Sequence, residues 1–391
     1  MTTELGLAAI ALAIWVTLLL GRGGFWLGRE HEGHDPPPRV GIGAGREDWP
    51  SVVAVVPARN EADMLPRSLA SLLVQDYRGP LSIVIVDDQS EDGTADAARR
   101  IAEDGRREVT VLGGGPPPEG WTGKVWAQAQ GIAYASRLPD LPRYLLLTDA
   151  DIVYAPESLT RVVARARANG LVLTSLIAKL NCVSLAERAL IPAFVFFFQM
   201  LYPFAWVNAR TPRVAAAAGG CMLVERRALE TAGGISAIRG ALIDDCALAR
   251  VMKAQGPIWL GLTDRVISLR AYPHMNDIRR MVARSAYAQL RYSPLLLAGT
   301  IAVMAVTYVA APALAFAGGF PANLIAGAAW ALMSTAFQPT LRQYRLSPIW
   351  RAALPAIAGA YVMFTIDSAC QHWRGRGGLW KGRVQAIPAS R

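Results

Sequence analysis

Asp149 and Asp151 form the pattern in this sequence that is best suited to hold a hard divalent cation. They follow the apolar run 144–147, which is typical of a buried strand. In the turn after a strand, alternate carboxylates can both reach one Mg²⁺ or Mn²⁺ ion, because these ions prefer oxygen ligands. Such an ion takes one or two protein carboxylates, and diphosphate oxygens and water complete its shell. It would stabilise the charge on a departing nucleoside diphosphate. Because D-x-D is a common pattern, it predicts a metal site only together with other residues.

Two further polar clusters also follow apolar runs. These clusters are Pro57-Ala58-Arg59-Asn60-Glu61 and Asp87-Asp88-Gln89-Ser90. A single Asp at such a place can simply cap the next helix, and we prefer that interpretation for Asp63 or Asp92 taken alone. Ligands in open α/β folds bind beyond the carboxyl ends of the strands. Three neighbouring strands with polar ends therefore predict one converging site.

Lys124 lies at the start of a predicted helix, after a loop rich in Gly and Pro, in the sequence Trp121-Thr122-Gly123-Lys124. A lysine beside the free N–H groups of a helix start suits a phosphate, although the spacing is not that of a P-loop. Gly219 and Gly220 end a later run of small residues. Their lack of a side chain would allow a ligand, such as an acceptor, or another backbone segment to approach closely.

Two adjacent acids, Asp244 and Asp245, precede the helical run 246–253. Helix capping and the helix dipole could explain both of them. If Asp245 faces the same site as the D-x-D pair, it could instead accept the proton of an attacking hydroxyl. Arg284 lies on an amphipathic segment together with Arg279 and Arg280. An arginine there could hold a diphosphate or contact lipid phosphates, and the sequence leaves both alternatives open.

The segments that carry these clusters alternate between strand and helix patterns from Ser51 onwards. Short continuous apolar runs predict strands covered on both faces, and apolar residues at helical spacing predict the helices between them. The predicted strands are 52–56, 81–86, 109–112 and 144–147, and the predicted helices are 63–75, 92–101 and 125–134. This order predicts an α/β fold in which a parallel sheet carries helices on both faces.

The composition predicts a membrane protein rather than a nucleic-acid-binding one. Hydrophobic residues make up 53% of the 391 residues, and the net charge is +10. Eight basic residues and one acid lie in 294–391, so the positive charge belongs to the most apolar third, which is typical of contact with anionic membrane lipids. The four cysteines form no C-x-x-C pair, which argues against a disulfide framework and a cysteine zinc site and favours a reducing compartment.

Several uncharged runs are long enough to enter a membrane. The run 5–20 is followed by Arg22 and Arg29, which predicts a signal anchor with its N-terminus outside and the following domain in the cytoplasm. The runs 294–317 and 322–337 predict a helical hairpin. A further run at 352–369 is followed by a basic tail. Either this run spans the membrane and the tail lies outside, or the tail stays inside and the run is re-entrant or interfacial.

Residues 189–207 are apolar and rich in aromatic side chains, with prolines at 192 and 203. We prefer the interpretation of an interfacial helix lying against the bilayer. A buried core helix and a membrane span are the alternatives.

Taken in order, these motifs resemble those of the family 2 glycosyltransferases with the GT-A fold, over roughly 51–290. The matching elements are P-A-R-N-E, V-D-D-x-S-x-D-G-T, G-K before a helix, D-A-D, G-G and a D-D pair. With the W-T-G-K box, the aromatic helix and a C-terminal W-K-G-R, the sequence looks most similar to the hopanoid-biosynthesis-associated transferases called HpnB, and more distantly to ceramide glucosyltransferases.

The resemblance implies roles for individual residues. Residues 57–61 with Asp87 and Asp88 would hold the nucleoside, with uridine expected, and Lys124 would contact the diphosphate. Asp149 and Asp151 would bind the cation, with Asp151 as the direct ligand, and Asp245 would be the general base. The Q-x-x-R-W box of polymer-extending enzymes is missing around Arg284, where the chain reads M-V-A-R-S, and its loss favours the transfer of a single sugar.

We therefore predict a Rossmann-like mixed sheet of the GT-A type with transmembrane or interfacial helices. The predicted parts are an anchor at 1–21, a linker at 22–50, a cytoplasmic catalytic domain at 51–290 and a membrane region at 291–391. The predicted activity is inverting transfer of one sugar from a nucleotide sugar, with UDP expected, to a lipid hydroxyl at the bacterial inner membrane, with a hopanoid as the candidate acceptor. A processive polysaccharide synthase and a non-catalytic scaffold that binds nucleotide sugar are the alternatives.

Overall fold

The computed structural model of the chain describes residues 3–33, 49–103, 105, 107–211, 214–381 and 383–384. Most of the predicted linker, residues 34–48, lies outside the described residues, as does Gly382 of the C-terminal W-K-G-R. The chain divides into two compact units. The sheet unit comprises Glu30–Asn181 and Trp206–Arg270, and the helical unit comprises Met1–Arg29, Cys182–Ala205 and Ala271–Arg391.

The strands and helices alternate through the first half of the chain. The strands are β1 (Val52–Ala58), β2 (Leu81–Asp87), β3 (Glu108–Gly113), β4 (Tyr144–Leu147), β5 (Ile152–Tyr154), β6 (Leu173–Lys179), β7 (Met222–Glu225), β8 (Ile258–Ser268), β9 (Leu379–Trp380) and β10 (Arg383–Val384). The helices are α1 (Thr3–Gly21), α2 (Leu65–Leu73), α3 (Thr94–Ala102), α4 (Gly123–Ala135), α5 (Ser158–Asn169), α6 (Leu185–Leu201), α7 (Phe204–Asn208), α8 (Arg226–Thr231), α9 (Asp244–Lys253), α10 (Met275–Ala283), α11 (Ala286–Gln289), α12 (Pro294–Met304), α13 (Ala311–Ala317), α14 (Ala322–Gln343) and α15 (Leu354–Trp373).

The sheet unit is built on an eight-stranded sheet in the order β3-β2-β1-β4-β7-β6-β8-β5. Strands β1 to β4 pair in parallel, as predicted, and every residue of β1 is buried because the sheet is covered on both faces. β7 runs antiparallel to β4 and to β6, and β5 runs antiparallel to β8, so the sheet is mixed. β1 lies between β2 and β4, which places the three polar clusters at neighbouring strand ends.

The helical unit contains the apolar segments. Among the described residues, three helices are long and apolar enough to cross a membrane: Thr3–Gly21, Pro294–Ala317 and Pro348–Trp373. The second includes a π-helical stretch, Ala305–Ala310, between α12 and α13. The predicted hairpin is present, with α14 as its second arm, although α14 is not among these three candidate spans.

The last apolar helix ends beside the start of α12. The ring of Tyr292, just before α12, stacks on His372 in the last turn of α15, with 4.3 Å between the ring centroids. Asp367 of α15 forms an ion pair with Arg279 of α10. The basic tail therefore begins at the same end as the residues that precede α12. Whether the run at 352–369 spans the membrane or is re-entrant or interfacial stays a prediction.

The aromatic segment differs from the predicted helix at 189–207. α6 ends at Leu201, and α7 begins only at Phe204, because Pro203 cannot donate the backbone hydrogen bond that a continuous helix needs. Phe196 is fully buried, and its ring lies 5.4 Å from that of Phe25 and 5.3 Å from that of Phe337. This burial supports a core helix of the helical unit, which was the alternative to an interfacial helix. The grouping of 182–205 and 271–290 with the apolar helices also differs from the predicted domain boundaries.

Candidate active site at the carboxyl ends of the strands

The loops after β1 and β2 are joined by short hydrogen bonds. Pro57 and Ala58 pair with Val86 and Asp87 in the sheet, and the backbone N–H of Asp88 donates to the carbonyl of Ala58 at 2.7 Å. Arg59 donates from Nη1 to the carbonyls of Asp88, at 2.5 Å, and Gln89, at 3.2 Å. The structure therefore brings together the residues that the sequence assigned to the nucleoside.

Asp87 and Asp88 differ in their surroundings. Asp88 is almost fully buried, and its carboxylate lies 4.0 Å from the guanidinium of Arg59. One oxygen of Asp87, Oδ1, is buried and accepts no hydrogen bond from the described part of the chain. A buried acceptor without a donor is costly, so this atom suits a ligand that donates a hydrogen bond. Asp92, by contrast, accepts from the backbone N–H groups of Thr94 and Ala62, which agrees with the structural role preferred for it.

Lys124 lies in the first turn of α4 and joins two of the predicted acids. Its Nζ lies 2.8 Å from Oδ1 of Asp149 and 3.2 Å from Oδ2 of Asp244. These acids come from the turn after β4 and from the start of α9, which are almost 100 residues apart in the chain. The lysine therefore links the D-x-D turn to the D-D pair. Its predicted contact with a diphosphate stays a prediction.

Asp245 and Gly219 complete this cluster. Asp245 accepts hydrogen bonds at Oδ2 from the N–H of Gly219, at 3.1 Å, and at Oδ1 from the N–H of Cys246, at 2.7 Å. A methyl group built on Gly219 would lie 3.0 Å from Lys124 Nζ and 3.7 Å from both Asp149 Oδ2 and Asp245 Oδ2. A side chain here would push the Lys124 ammonium aside by a few tenths of an ångström, at a place that three charged groups surround. We call Lys124, Asp149, Asp244, Asp245 and Gly219 the lysine cluster.

Burial and charge shift the pKa values of this cluster. Burial, with the negative charge of Asp244 as the next cause, raises the pKa of Asp245 to about 6, although Lys124 and two backbone N–H groups oppose the shift. Burial also raises the pKa of Asp149, against the opposing charge of Lys124. For Lys124 itself, burial acts to lower the pKa, but the charges of the three aspartates outweigh burial and raise it.

Gly220 has a different role from Gly219. A methyl group on it would lie 3.1 Å from Ile152 and 3.3 Å from Ala178, so its position is one of close packing. Its carbonyl accepts hydrogen bonds from Thr148 and Tyr154. Arg284 belongs to the helical unit, where it follows α10 and is exposed, and its contact with a diphosphate stays a prediction.

Arg270 is a site residue that the sequence did not predict. It follows β8 and bridges two acids: its Nε lies 2.9 Å from Asp151 Oδ2, and its Nη2 lies 2.6 Å from Glu61 Oε1. Ser268 also lies near, with its Oγ 3.4 Å from Asp151 Oδ2. No local sequence signal marks Arg270, because it reaches Asp151 only through the antiparallel pairing of β5 with β8, more than 100 residues apart.

The donor set fits a hard divalent cation that is only partly held by the protein. Asp149 and Asp151 offer carboxylate oxygens, and the Asp149 side chain is about a third exposed, at 35%. Within the described residues, no group of three or more His, Cys, Asp or Glu side chains is arranged around one point. A cation held by Asp149 and Asp151 would need the substrate and water to supply the remaining ligands, and this Mg²⁺ or Mn²⁺ site stays a prediction.

The chain is similar to a known protein family and to curated proteins. Residues 53–233 match the family described as "Glycosyl transferase family 2". Curated relatives include an N-acetylglucosaminyltransferase of Mesorhizobium japonicum, 35% identical over 129 residues, and a 4,4'-diaponeurosporenoate glycosyltransferase of Staphylococcus haemolyticus, 33% identical over 129 residues. The aligned stretch covers 32% of this chain in both cases, and 28% and 32% of the two relatives. The chain thus matches less than a third of the length of each.

A solved structure shares the fold over most of the chain. It is the mannosyltransferase PcManGT from Pyrobaculum calidifontis in complex with GDP-Man and Mn²⁺, with a TM-score of 0.52 and 19% sequence identity. The match covers 92% of this chain and 99% of that one. The predicted GT-A-like mixed α/β fold with additional apolar helices is therefore confirmed.

Proposed function

We propose an activity for the protein as a whole, starting from the match of residues 53–233 to glycosyl transferase family 2, which supports the predicted enzyme class. We propose a membrane-bound inverting glycosyltransferase that moves one sugar from a nucleotide sugar to a hydroxyl group of a lipid. One observation carries the proposal. The predicted base, Asp245, belongs to the same cluster as Asp149 of the D-x-D pair, and Lys124 contacts acids of both motifs.

Asp245 has the properties of a general base. A carboxylate whose pKa is about 6 is a stronger base than an ordinary aspartate, and it is still ionised at neutral pH. The acceptor hydroxyl would give its proton to Asp245 as its oxygen bonds to the anomeric carbon. The bond from that carbon to the diphosphate breaks on the opposite side, and its electron pair leaves with the diphosphate. Attack opposite to the leaving group inverts the configuration.

The backbone around Asp245 fixes the direction of its carboxylate. The N–H of Gly219 holds Oδ2 and the N–H of Cys246 holds Oδ1. Two anchored oxygens leave the side chain little rotational freedom, so the base does not have to be oriented during the reaction. Lys124 supplies a positive charge close to the place where the diphosphate would leave, and a cation held by Asp149 and Asp151 would supply Lewis-acid stabilisation of that charge.

The nucleotide sugar would lie against the loops after β1 and β2. The unpaired Oδ1 of Asp87 and the buried carboxylate of Asp88 suit the donor groups of a nucleobase or ribose. We propose uridine, in line with the motif resemblance. The solved relative binds GDP-Man, so the experiment must compare UDP-sugars with GDP-sugars.

The helical unit supports a lipid acceptor. Three helices in the described part of the chain are long and apolar enough to cross a membrane, and a water-insoluble acceptor would have to be delivered from the bilayer. We propose a multi-pass position in a bacterial inner membrane with the sheet unit in the cytoplasm. A hopanoid acceptor, and a close relation to the HpnB transferases, are proposed from the motif resemblance.

The test uses the full chain reconstituted in liposomes that contain extracted bacterial lipids. Radiolabelled UDP-sugars and GDP-sugars are supplied with Mn²⁺, and labelled lipid is measured after extraction. Asp245→Asn should lower the rate by about 10² to 10⁴-fold, as expected for loss of a general base, while nucleotide binding is retained. Asp151→Ala should also abolish transfer.

A matched control is Asp264→Asn, because Asp264 is an exposed acid of the same unit whose partners include Lys179 and His31. This variant should transfer sugar at the wild-type rate. A rate for Asp245→Asn within threefold of the wild-type rate would contradict the assignment of the base. Absence of any labelled lipid with the wild-type protein would contradict the lipid acceptor.

A further inference from the structure

Arg270 joins the second aspartate of the D-x-D pair to the loop after β1. We propose that Arg270 is a positioning residue that makes the site bind a divalent cation and a nucleoside diphosphate together rather than separately. The inference rests on the proposed function, because it assigns a regulation of the same site. It starts from the two ion pairs of Arg270, at 2.9 Å to Asp151 and 2.6 Å to Glu61.

The sheet fixes the position of Arg270. Ser268 pairs with Ile152, and the N–H of Leu269 donates to the carbonyl of Asp151 at 2.8 Å. The N–H of Arg270 donates to Ser268 Oγ at 3.3 Å. The guanidinium therefore starts from a backbone that is held directly against the D-x-D turn, and it is not a mobile surface side chain that happens to reach an acid.

The ion pairs are also partly shielded from water. The side-chain exposure is 12% for Asp151, 9% for Glu61 and 28% for Arg270. Charges in such surroundings interact more strongly than charges in bulk water. A guanidinium with its fork between two carboxylates is a strong and directional arrangement, which a lysine would not reproduce.

This arrangement affects a divalent cation that arrives alone. The negative charge of Asp151, which should attract the cation, is already partly balanced by Arg270, which it shares with Glu61. The cation must then either approach a guanidinium or displace it, and both cost free energy. A nucleoside diphosphate that arrives with the cation brings phosphate oxygens, and these accept hydrogen bonds from a guanidinium as readily as a carboxylate does. Arg270 therefore opposes binding of the cation alone and favours binding of the cation together with the nucleoside diphosphate.

The first aspartate of the motif shows the same arrangement. Asp149 lies 2.8 Å from Lys124, so each carboxylate of the D-x-D pair has a cationic partner from the protein itself. By linkage, the cation must strengthen nucleotide binding by the same factor by which the nucleotide strengthens cation binding. Coupling between two ligands typically amounts to a factor of about 5 to 150.

The test measures binding and does not depend on turnover. Full-length protein in nanodiscs is titrated with Mn²⁺ alone, and free Mn²⁺ is followed by electron paramagnetic resonance. UDP and GDP are titrated by calorimetry with and without Mn²⁺. The variants are Arg270→Gln and Arg270→Lys. The control is Arg265→Gln, since Arg265 lies on β8, the strand that Arg270 follows, and pairs with Glu157 at 2.8 Å with a similar exposure of 31%.

The wild-type protein should show coupling of at least about fivefold between Mn²⁺ and one of the two nucleotides. Arg270→Gln should bind Mn²⁺ alone several-fold more tightly and lose most of the coupling, whereas Arg265→Gln should behave as the wild type. Arg270→Lys keeps the charge but reaches one carboxylate at a time, so it should show intermediate coupling. This variant carries the test if Arg270→Gln does not fold.

If Arg270 only supported the fold around Asp151, Arg270→Gln would bind Mn²⁺ alone more weakly than the wild type rather than more tightly. That result, or unchanged coupling in Arg270→Gln or Arg270→Lys, would overturn the inference while leaving the proposed function in place. If the wild-type protein binds neither UDP nor GDP in the presence of Mn²⁺, the proposed function fails together with the inference.

Discussion

Replacement of Lys124 by glutamine tests whether the lysine cluster sets the proton affinity of the base. The Nζ of Lys124 and the Oδ2 of Asp245 lie 3.0 and 3.7 Å from one common point, the methyl position on Gly219, so the two atoms are less than about 7 Å apart. At that distance and an effective dielectric constant of about 20, two unit charges interact by roughly 2 kcal/mol. Since one pKa unit corresponds to about 1.4 kcal/mol, loss of the ammonium should raise the pKa of Asp245 by about one to two units.

The sign of the effect follows from the role of Asp245. A general base works in its ionised form, so the rate of the wild-type enzyme should rise as the pH increases through about 6 and then level off. In Lys124→Gln this rising part of the pH profile, the acidic limb, should move to a higher pH by about one to two units. Transfer should therefore be lost mainly in the acidic range and recover partly at alkaline pH.

The assay is the pH dependence of kcat/KM for sugar transfer to lipid in liposomes, between pH 5 and 9. Lys124→Arg keeps the charge and should leave the limb near that of the wild type. Lys179→Gln, which removes a lysine paired with Asp264 in the same unit, should not move it. If the limb of Lys124→Gln stays within about 0.3 pH units of the wild-type limb, the electrostatic account of the cluster is wrong.

Three further results are expected. Gly219→Ala should lower the transfer rate by at least about tenfold with little change in thermal unfolding, because its methyl group would lie among three charged groups at the site; near-normal transfer would speak against a tightly packed cluster. Asn208→Ala should lower the free energy of unfolding by roughly 1 to 3 kcal/mol, measured with denaturant, because Asn208 exchanges two hydrogen bonds with the backbone of Leu260. Cysteines placed at Arg284 and Arg376 in a background without the native cysteines should react with an impermeant maleimide from the same side of the membrane, since the start of α12 and the end of α15 are adjacent; labelling from opposite sides would contradict this packing.

The part of the fold that local patterns encode was predictable. β1, β2 and β4 are continuous apolar runs because both faces of the sheet are covered, and the polar residues after them follow directly in the sequence. The antiparallel strands were not predictable in the same way. β5 has three residues and β7 has four, and both are placed by partners far away in the chain.

The candidate site also contains residues that the local sequence marks and residues that only distant parts of the chain bring together. Asp149, Asp151 and Asp245 stand out by spacing and by their place at element ends. That Lys124 would contact Asp149 and Asp244, rather than point to an isolated phosphate position, depends on how α4 and α9 approach each other. Arg270 has no local signal at all, because its role arises only from the pairing of β5 with β8. The burial of Phe196 likewise depends on α14, which lies more than 100 residues later.

The order in which the chain builds its two units limits how the protein can be dissected. The chain passes from one unit to the other after Arg29, Asn181, Ala205 and Arg270, so neither unit is a continuous stretch of sequence. A fragment trimmed to 51–290 would keep α6 but remove Phe25 and Phe337, which cover Phe196. Such a fragment would expose the aromatic face of α6 and should aggregate. A soluble fragment of the sheet unit would instead require the excision of 182–205 and a designed bridge from Asn181 to Trp206.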